Sequence, residues 1–132
     1  MNKLKGVIQA QKHSCGITRI EVMSEGYLFR LLVFEESPKE RIGKRVYLII
    51  KESEIAICKT KPTDISISNK PECTVSKVVC GEMLAQIYLN LGSDTISSVI
   101  TSESIHRLGI LEGDTVYALI KANEIYLESI FD

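Results

Sequence analysis

The sequence predicts an all-β chain of two tandem five-stranded units, and three observations carry that expectation. The first is an internal repeat: Lys12-His13-Ser14-Cys15-Gly16 matches Lys77-Val78-Val79-Cys80-Gly81 at a shift of 65, and the stretch from Gly43 to Lys51 matches that from Gly113 to Lys121 at a shift of 70. The chain reads as two copies of one unit, the first five residues shorter between Gly16 and Gly43. The second is alternation. Cys73 to Val79, Leu84 to Leu89, Ile96 to Ile100, Thr115 to Lys121 and Glu124 to Ile130 are β-branched or alternating runs separated by Gly, Asn and Asp, which is the pattern of short strands. The third is one helical signature between the third and fourth of these runs. Thr101 caps the segment Ser102 to Leu108, and Gly109 sits where a left-handed C-terminal residue is wanted. Strand, strand, strand, short helix, strand, strand is the element order of a small Greek-key barrel of the oligonucleotide/oligosaccharide-binding (OB) type, and the repeat assigns one such barrel to each copy.

The join falls in Lys59 to Asp64 and the following Ser66 to Pro71, a stretch rich in turn formers, so the units are placed at residues 1–62 and 63–132. A unit of this size buries a small fraction of its surface, and the two are expected to pack on each other and on further copies of the chain.

Composition narrows the function. The chain has 132 residues, 45% hydrophobic and 25% charged, with mean hydropathy +0.09, and should fold rather than stay disordered. Sixteen Lys and Arg against 17 Asp and Glu leave a net charge of −1, without the basic field that holds nucleic acid through its phosphates. The N-terminal stretch lacks the apolar core and cleavage site of a secretory signal, and no apolar run is long enough to span a membrane. Cys15, Cys58, Cys73 and Cys80 contain no Cys-x-x-Cys pair and no histidine at zinc-ligand spacing, and read as reduced thiols of a cytoplasmic protein with no direct metal ligands. His13 and His106 lack a recognisable nucleophile motif, so no acid/base or triad enzyme is expected. Tyr27, Phe29 and Phe34 read as core packing rather than as a base-stacking face.

The sharpest chemical signal is Ile100-Thr101-Ser102-Glu103-Ser104-Ile105 followed later by Lys121-Ala122. A helix start carries unpaired amides and the positive end of the helix dipole; Thr101 and Ser104 add hydroxyl donors, and Lys121 adds an ammonium at the end of an apolar run. Such a set fits an oxyanion. The same residues also read as an ordinary cap and a solvated turn lysine.

The string Val99 to Ser104, Leu108-Gly109-Ile110-Leu111-Glu112-Gly113-Asp114-Thr115-Val116 and Ile120-Lys121-Ala122-Asn123-Glu124-Ile125 resembles the molybdate-binding Mop domain of the TOBE class, whose pattern runs I-T-x-x-S, L-G-L-x-x-G-x-x-V, then I-K-A-x-x-V/I. The first copy is similar in Leu4-Lys5-Gly6-Val7, in Gly43 and Val46, and in Ile50, Lys51, Glu54 and Ile55, so the resemblance runs over almost the whole chain as a tandem, di-Mop protein. It implies a pair of OB-like barrels that binds molybdate or tungstate where Mop units meet, usually between subunits, with no organic cofactor. The family's contacts carry over to Thr101, Ser104, Lys121 and Ala122, completed by Ser66 or Ser68 of another unit. It further implies a non-enzymatic cytoplasmic protein for storage, buffering or sensing, assembled as a homo-oligomer, a trimer being favoured, without nucleic-acid or membrane partners.

Two departures matter. Family units often open with S-A-R-N, whereas this chain has Ser66-Ile67-Ser68-Asn69 in the second unit and begins the first at Met1-Asn2; the arginine is missing from both. Each charged hydrogen bond so lost is ordinarily worth about 1.5–3 kcal/mol. In the first unit Phe34, Glu35 and Glu36 stand in place of the Thr101 region and Lys51-Glu52 in place of Lys121-Ala122, so carboxylates crowd the position of an anion, while Ser37-Pro38-Lys39-Glu40 reads as a capping box with proline at the first helical position. The first unit is therefore expected to be a structural partner. The alternative reading of the whole chain is a degenerate module that acts through protein contacts without binding an anion.

Overall fold

The computed structural model describes residues 1–130; residues 131 and 132, the end of the predicted second unit, lie outside it. Ten strands and one helix follow one another as β1 (Asn2–Ser14), β2 (Ile17–Ser24), β3 (Tyr27–Phe34), β4 (Arg45–Ile50), β5 (Ala56–Cys58), β6 (Glu72–Cys80), β7 (Leu84–Leu91), β8 (Asp94–Thr101), α1 (Ser102–Leu108), β9 (Thr115–Leu119) and β10 (Tyr126–Ser129). Single 3₁₀ turns, Glu52–Glu54 and Ala122–Glu124, precede β5 and β10.

Alternation explains the strands. Along β1, Asn2, Leu4, Gly6 and Ile8 are buried while Lys3, Lys5 and Val7 face out, and in β2 Thr18, Ile20, Val22 and Ser24 turn inward. After Ile8 the inward run breaks: the register of β1 against β2 shifts between Ile8 and Ala10, and that of β6 against β7 shifts at the equivalent place, between Val75 and Lys77. Each bulge frees backbone groups that the same later loop takes up. Gly43 N and Gly113 N donate to the carbonyls of Ile8 and Val75, both at 2.8 Å. Gly6 is needed for close packing, because a Cβ there would meet Val22 Cγ1 at 2.5 Å and the Met23 carbonyl at 2.9 Å.

The strands form two five-stranded sheets, in the orders β10-β4-β1-β2-β3 and β5-β9-β6-β7-β8, with all pairs antiparallel. This corrects two sequence expectations. First, neither sheet closes by hydrogen bonds between its own edge strands among the described residues, and each takes its outer strand from the other copy: β5 pairs with β9, and β10 pairs with β4. A single core, from Leu4 and Phe29 through Ile55 to Val116 and Ile125, runs across both copies. Second, only the second copy has a helix between its third and fourth strands; residues 35–44 of the first form bends and a turn. A capping box needs Glu40 to reach back to the Ser37 amide, but its carboxylate accepts from Ile42 N at 3.0 Å. Glu35, at the start of the segment, is drawn inward by Thr18 and Arg41.

Asparagines lock the copies together. Asn69 is fully buried; its side chain accepts from Arg30 N at 2.7 Å and donates to the carbonyls of Arg30 (2.8 Å) and Ile120 (3.1 Å). Asn2 does the same in the other direction, accepting from Ser97 N and donating to Ser97 O, both at 2.8 Å. Arg30 and Ser97 are each the fourth residue of an edge strand, β3 and β8. Each amide thus satisfies an unpaired strand edge of the opposite sheet.

Candidate oxyanion site

Thr101 and Ser104 are brought together by α1. Thr101 is the N-cap in an extended conformation, its Oγ1 accepts from Ser104 N at 3.1 Å, and the two hydroxyls lie 2.8 Å apart. The helix ends on Gly109 at φ 62°, whose carbonyl accepts from Lys59 Nζ of the first copy at 3.2 Å. Of two hydroxyls sharing one hydrogen bond, one proton points elsewhere, so the pair keeps one outward O–H donor. Sequence reasoning missed a neighbour. Arg107 donates to Ser104 Oγ at 3.2 Å and brings a guanidinium, 3.7 Å from Glu103, to the hydroxyl pair. Its signal was the spacing of three from Ser104, which puts both on one helix face.

Lys121 lies elsewhere, in a cleft of about 300 Å³ lined by Ser53, Glu54, Ile55 and Ala56 of the first copy and Ile67, Val99, Ile100, Leu119, Lys121 and Glu124 of the second. The cleft thus lies between the two 3₁₀ turns. Lys121 is exposed and makes no ion pair among the described residues. Ala122 opens the second 3₁₀ turn, and Ser66 and Ser68 are exposed on either side of Ile67. Thr101, Ser104, Ala122, Ser66 and Ser68 are not among the residues that line this cleft, although Ala122 adjoins Lys121 and Ser66 and Ser68 flank Ile67. Thr101 directly follows Ile100 of the cleft wall. Ser53, from the copy read as structural, was also missed, because nothing local indicates that the first 3₁₀ turn faces the second copy.

In the first copy the equivalent place is filled from within. Glu35 accepts from Arg41 (Nη2 to Oε1 2.5 Å, Nη1 to Oε2 3.1 Å) and from Thr18 Oγ1, whose own partner is His13 Nδ1 at 2.8 Å. The Arg41 guanidinium, then the Thr18 hydroxyl, hold the Glu35 carboxyl down to about 2. Glu52 is taken up by the Met1 amino group at 2.6 Å. Because the folded-state pKa of Glu35 is depressed, its contribution to stability is complete above its ordinary value and is lost as pH falls from about 4.5 towards 2. The stability gap between the native chain and Glu35→Gln should therefore shrink through that window in acid titrations followed by circular dichroism. A gap unchanged down to pH 2.5 would contradict the pairing.

Of the aromatic residues, Phe29 is fully buried and Tyr27 packs edge-on to it at 4.8 Å, as expected of core residues; Phe34 instead stands 72% exposed. All four cysteines are free, and no cluster of three or more metal-ligating side chains exists among the described residues. No helix among them is long and apolar enough to cross a membrane.

The chain superposes on ModG, described as a cytoplasmic molybdate-binding protein and solved with molybdate bound, at a TM-score of 0.91 and 24% identity, covering 98% of this chain and 96% of that one. It is also similar to a molybdate-binding protein from Sporomusa ovata, at 33% identity and a TM-score of 0.46, over 53% of this chain and all of that one. No curated protein sequence matches. The ModG superposition shows the OB-like fold of the chain, and the TOBE domain family model matches residues 65–127.

Proposed function

We propose that the chain is a non-enzymatic binding protein for molybdate or tungstate, built as a tandem pair of Mop units, 1–62 and 63–132. It exchanges the oxyanion's water for protein donors and serves in the cytoplasm to store, buffer or sense it. The observation that carries this reading is Lys121, an ammonium without an ion-pair partner among the described residues, lining a cleft made by both copies. The likeness in fold to a molybdate-bound protein supports it.

The donors are hard N–H and O–H groups, which fit an oxyanion and not a bare cation. Lys121 supplies charge, Thr101 and Ser104 supply the outward hydroxyl, and the backbone at Ala122 with Ser66 or Ser68 completes the shell. Lys121 lines the cleft and the hydroxyl pair does not, and we place the complete site where a second chain brings the two sets together. That requires a homo-oligomer, for which we favour a trimer. The exposed apolar side chains of Phe34, Met83, Leu84 and Leu111 supply surface for such contacts.

Calorimetric titration of anion-free protein in chloride buffer tests the reading. Saturable heat with molybdate and tungstate and none with sulfate is the expected result, with at most one anion per chain because the first unit's anion position is filled by Glu35. No heat with either metal oxyanion overturns the proposal. Sedimentation of the same sample should show a species larger than the monomer.

A further inference from the structure

Cys80 ends β6 on the surface, with its Sγ 3.9 Å from Nε2 of His106, on the exposed face of α1, and 3.6 Å from the Gly81 carbonyl. The two elements are pinned together, since Ser102 Oγ donates to Gly81 O at 2.8 Å and Ser102 N to Met83 O at 2.9 Å. The sequence placed a histidine and a thiol 26 residues apart; the helix makes them neighbours. We propose that Cys80 is a site of reversible thiol modification by low-molecular-weight disulfides, with His106 as the acceptor of its proton.

With the ring proton on Nδ1, Nε2 takes the proton from Sγ. The sulfur then attacks one sulfur of the disulfide; its S–S bond breaks as the new one to Sγ forms, and the departing thiolate leaves as a thiol with the proton returned by the imidazolium. One thiol and one disulfide are consumed and one of each is produced, so no further oxidant is needed.

The repeat supplies an internal control. Cys15 is its equivalent in the repeat and is also a surface residue, but it lies in the β1–β2 turn at φ 50°, no helix follows β3 there, and its sulfur accepts from Ser14 Oγ at 3.6 Å instead of facing an imidazole. Cys58 is half-buried and directs its thiol to the Thr60 carbonyl at 3.0 Å, and Cys73 is buried, its thiol pushed up to about 11 by loss of water.

The full chain is incubated with glutathione disulfide, quenched with acid, and each cysteine is quantified by peptide mass spectrometry. Cys80 should react roughly tenfold faster than Cys15, and His106→Gln should bring it down to the Cys15 rate. Equal rates at the two cysteines in the native chain overturn the proposal, as does an unchanged Cys80 rate in a folded His106→Gln variant; His106→Asn serves if that variant fails to fold.

Discussion

Asn69→Ala is expected to lower stability by about 3 kcal/mol, read as a fall of roughly 10 °C in Tm. The side chain has no exposure and makes three hydrogen bonds, all to backbone groups of two different strands or their ends. Alanine leaves the Arg30 amide and two carbonyls without partners in a place water does not reach, and an unsatisfied buried group costs about 1–3 kcal/mol. Asn69→Asp should be no better. It keeps the acceptor for Arg30 N but turns a carboxylate against the carbonyls of Arg30 and Ile120, which need donors. Asn2→Ala, with two such bonds and slight exposure, should cost less. A Tm within 2 °C of the native chain for Asn69→Ala would show that the opposed edges are held by packing alone.

Lys121→Met should weaken molybdate binding roughly 10- to 100-fold, the range set by losing one charge-assisted hydrogen bond. Methionine keeps most of the stem's length, and the exposed ammonium has no ion-pair partner among the described residues, so the Tm should scarcely move. Lys51→Met is the matched control. It removes the same charge from the equivalent position before the first 3₁₀ turn, and should leave affinity unchanged because that unit has Phe34 where the second has the Thr101 hydroxyl, and Glu52 where it has Ala122. Loss in both variants would mean that only the general positive field matters, and loss in neither would remove Lys121 from the site.

Much of this architecture is legible in the residues because its causes are local. Alternation at Leu4, Ile8, Ile20 and Val22 marks strands, and Thr101 with Gly109 marks both ends of α1, since a cap needs only its own hydroxyl and a left-handed turn only the absence of a Cβ. The exchange of β5 and β10 is not legible. Ala56 to Cys58 and Tyr126 to Ser129 have the pattern of strands, but pattern sets which face is buried and not which neighbour supplies the hydrogen bonds. The missing first-copy helix misled for a similar reason: Ser37-Pro38-Lys39-Glu40 is a fair local helix start, overridden by the pull of Thr18 and Arg41 on Glu35. At the candidate site, Thr101 and Ser104 could be joined from their spacing, whereas the placing of Lys121 and Ser53 on one cleft depends on how the two halves of the chain are laid against each other.

The exchanged strands also bear on how the chain is made. A ribosome delivers β1 to β4 early, but the strand that flanks β4, running from Tyr126 to Ser129, emerges only after β5 to β9. Until then the nascent first sheet exposes the β4 edge from Val46 to Ile49, a β-branched and apolar stretch open to pairing with another nascent chain. Pairing of that edge with the Tyr126 to Ser129 strand of a neighbouring chain would give the same ladder between two chains.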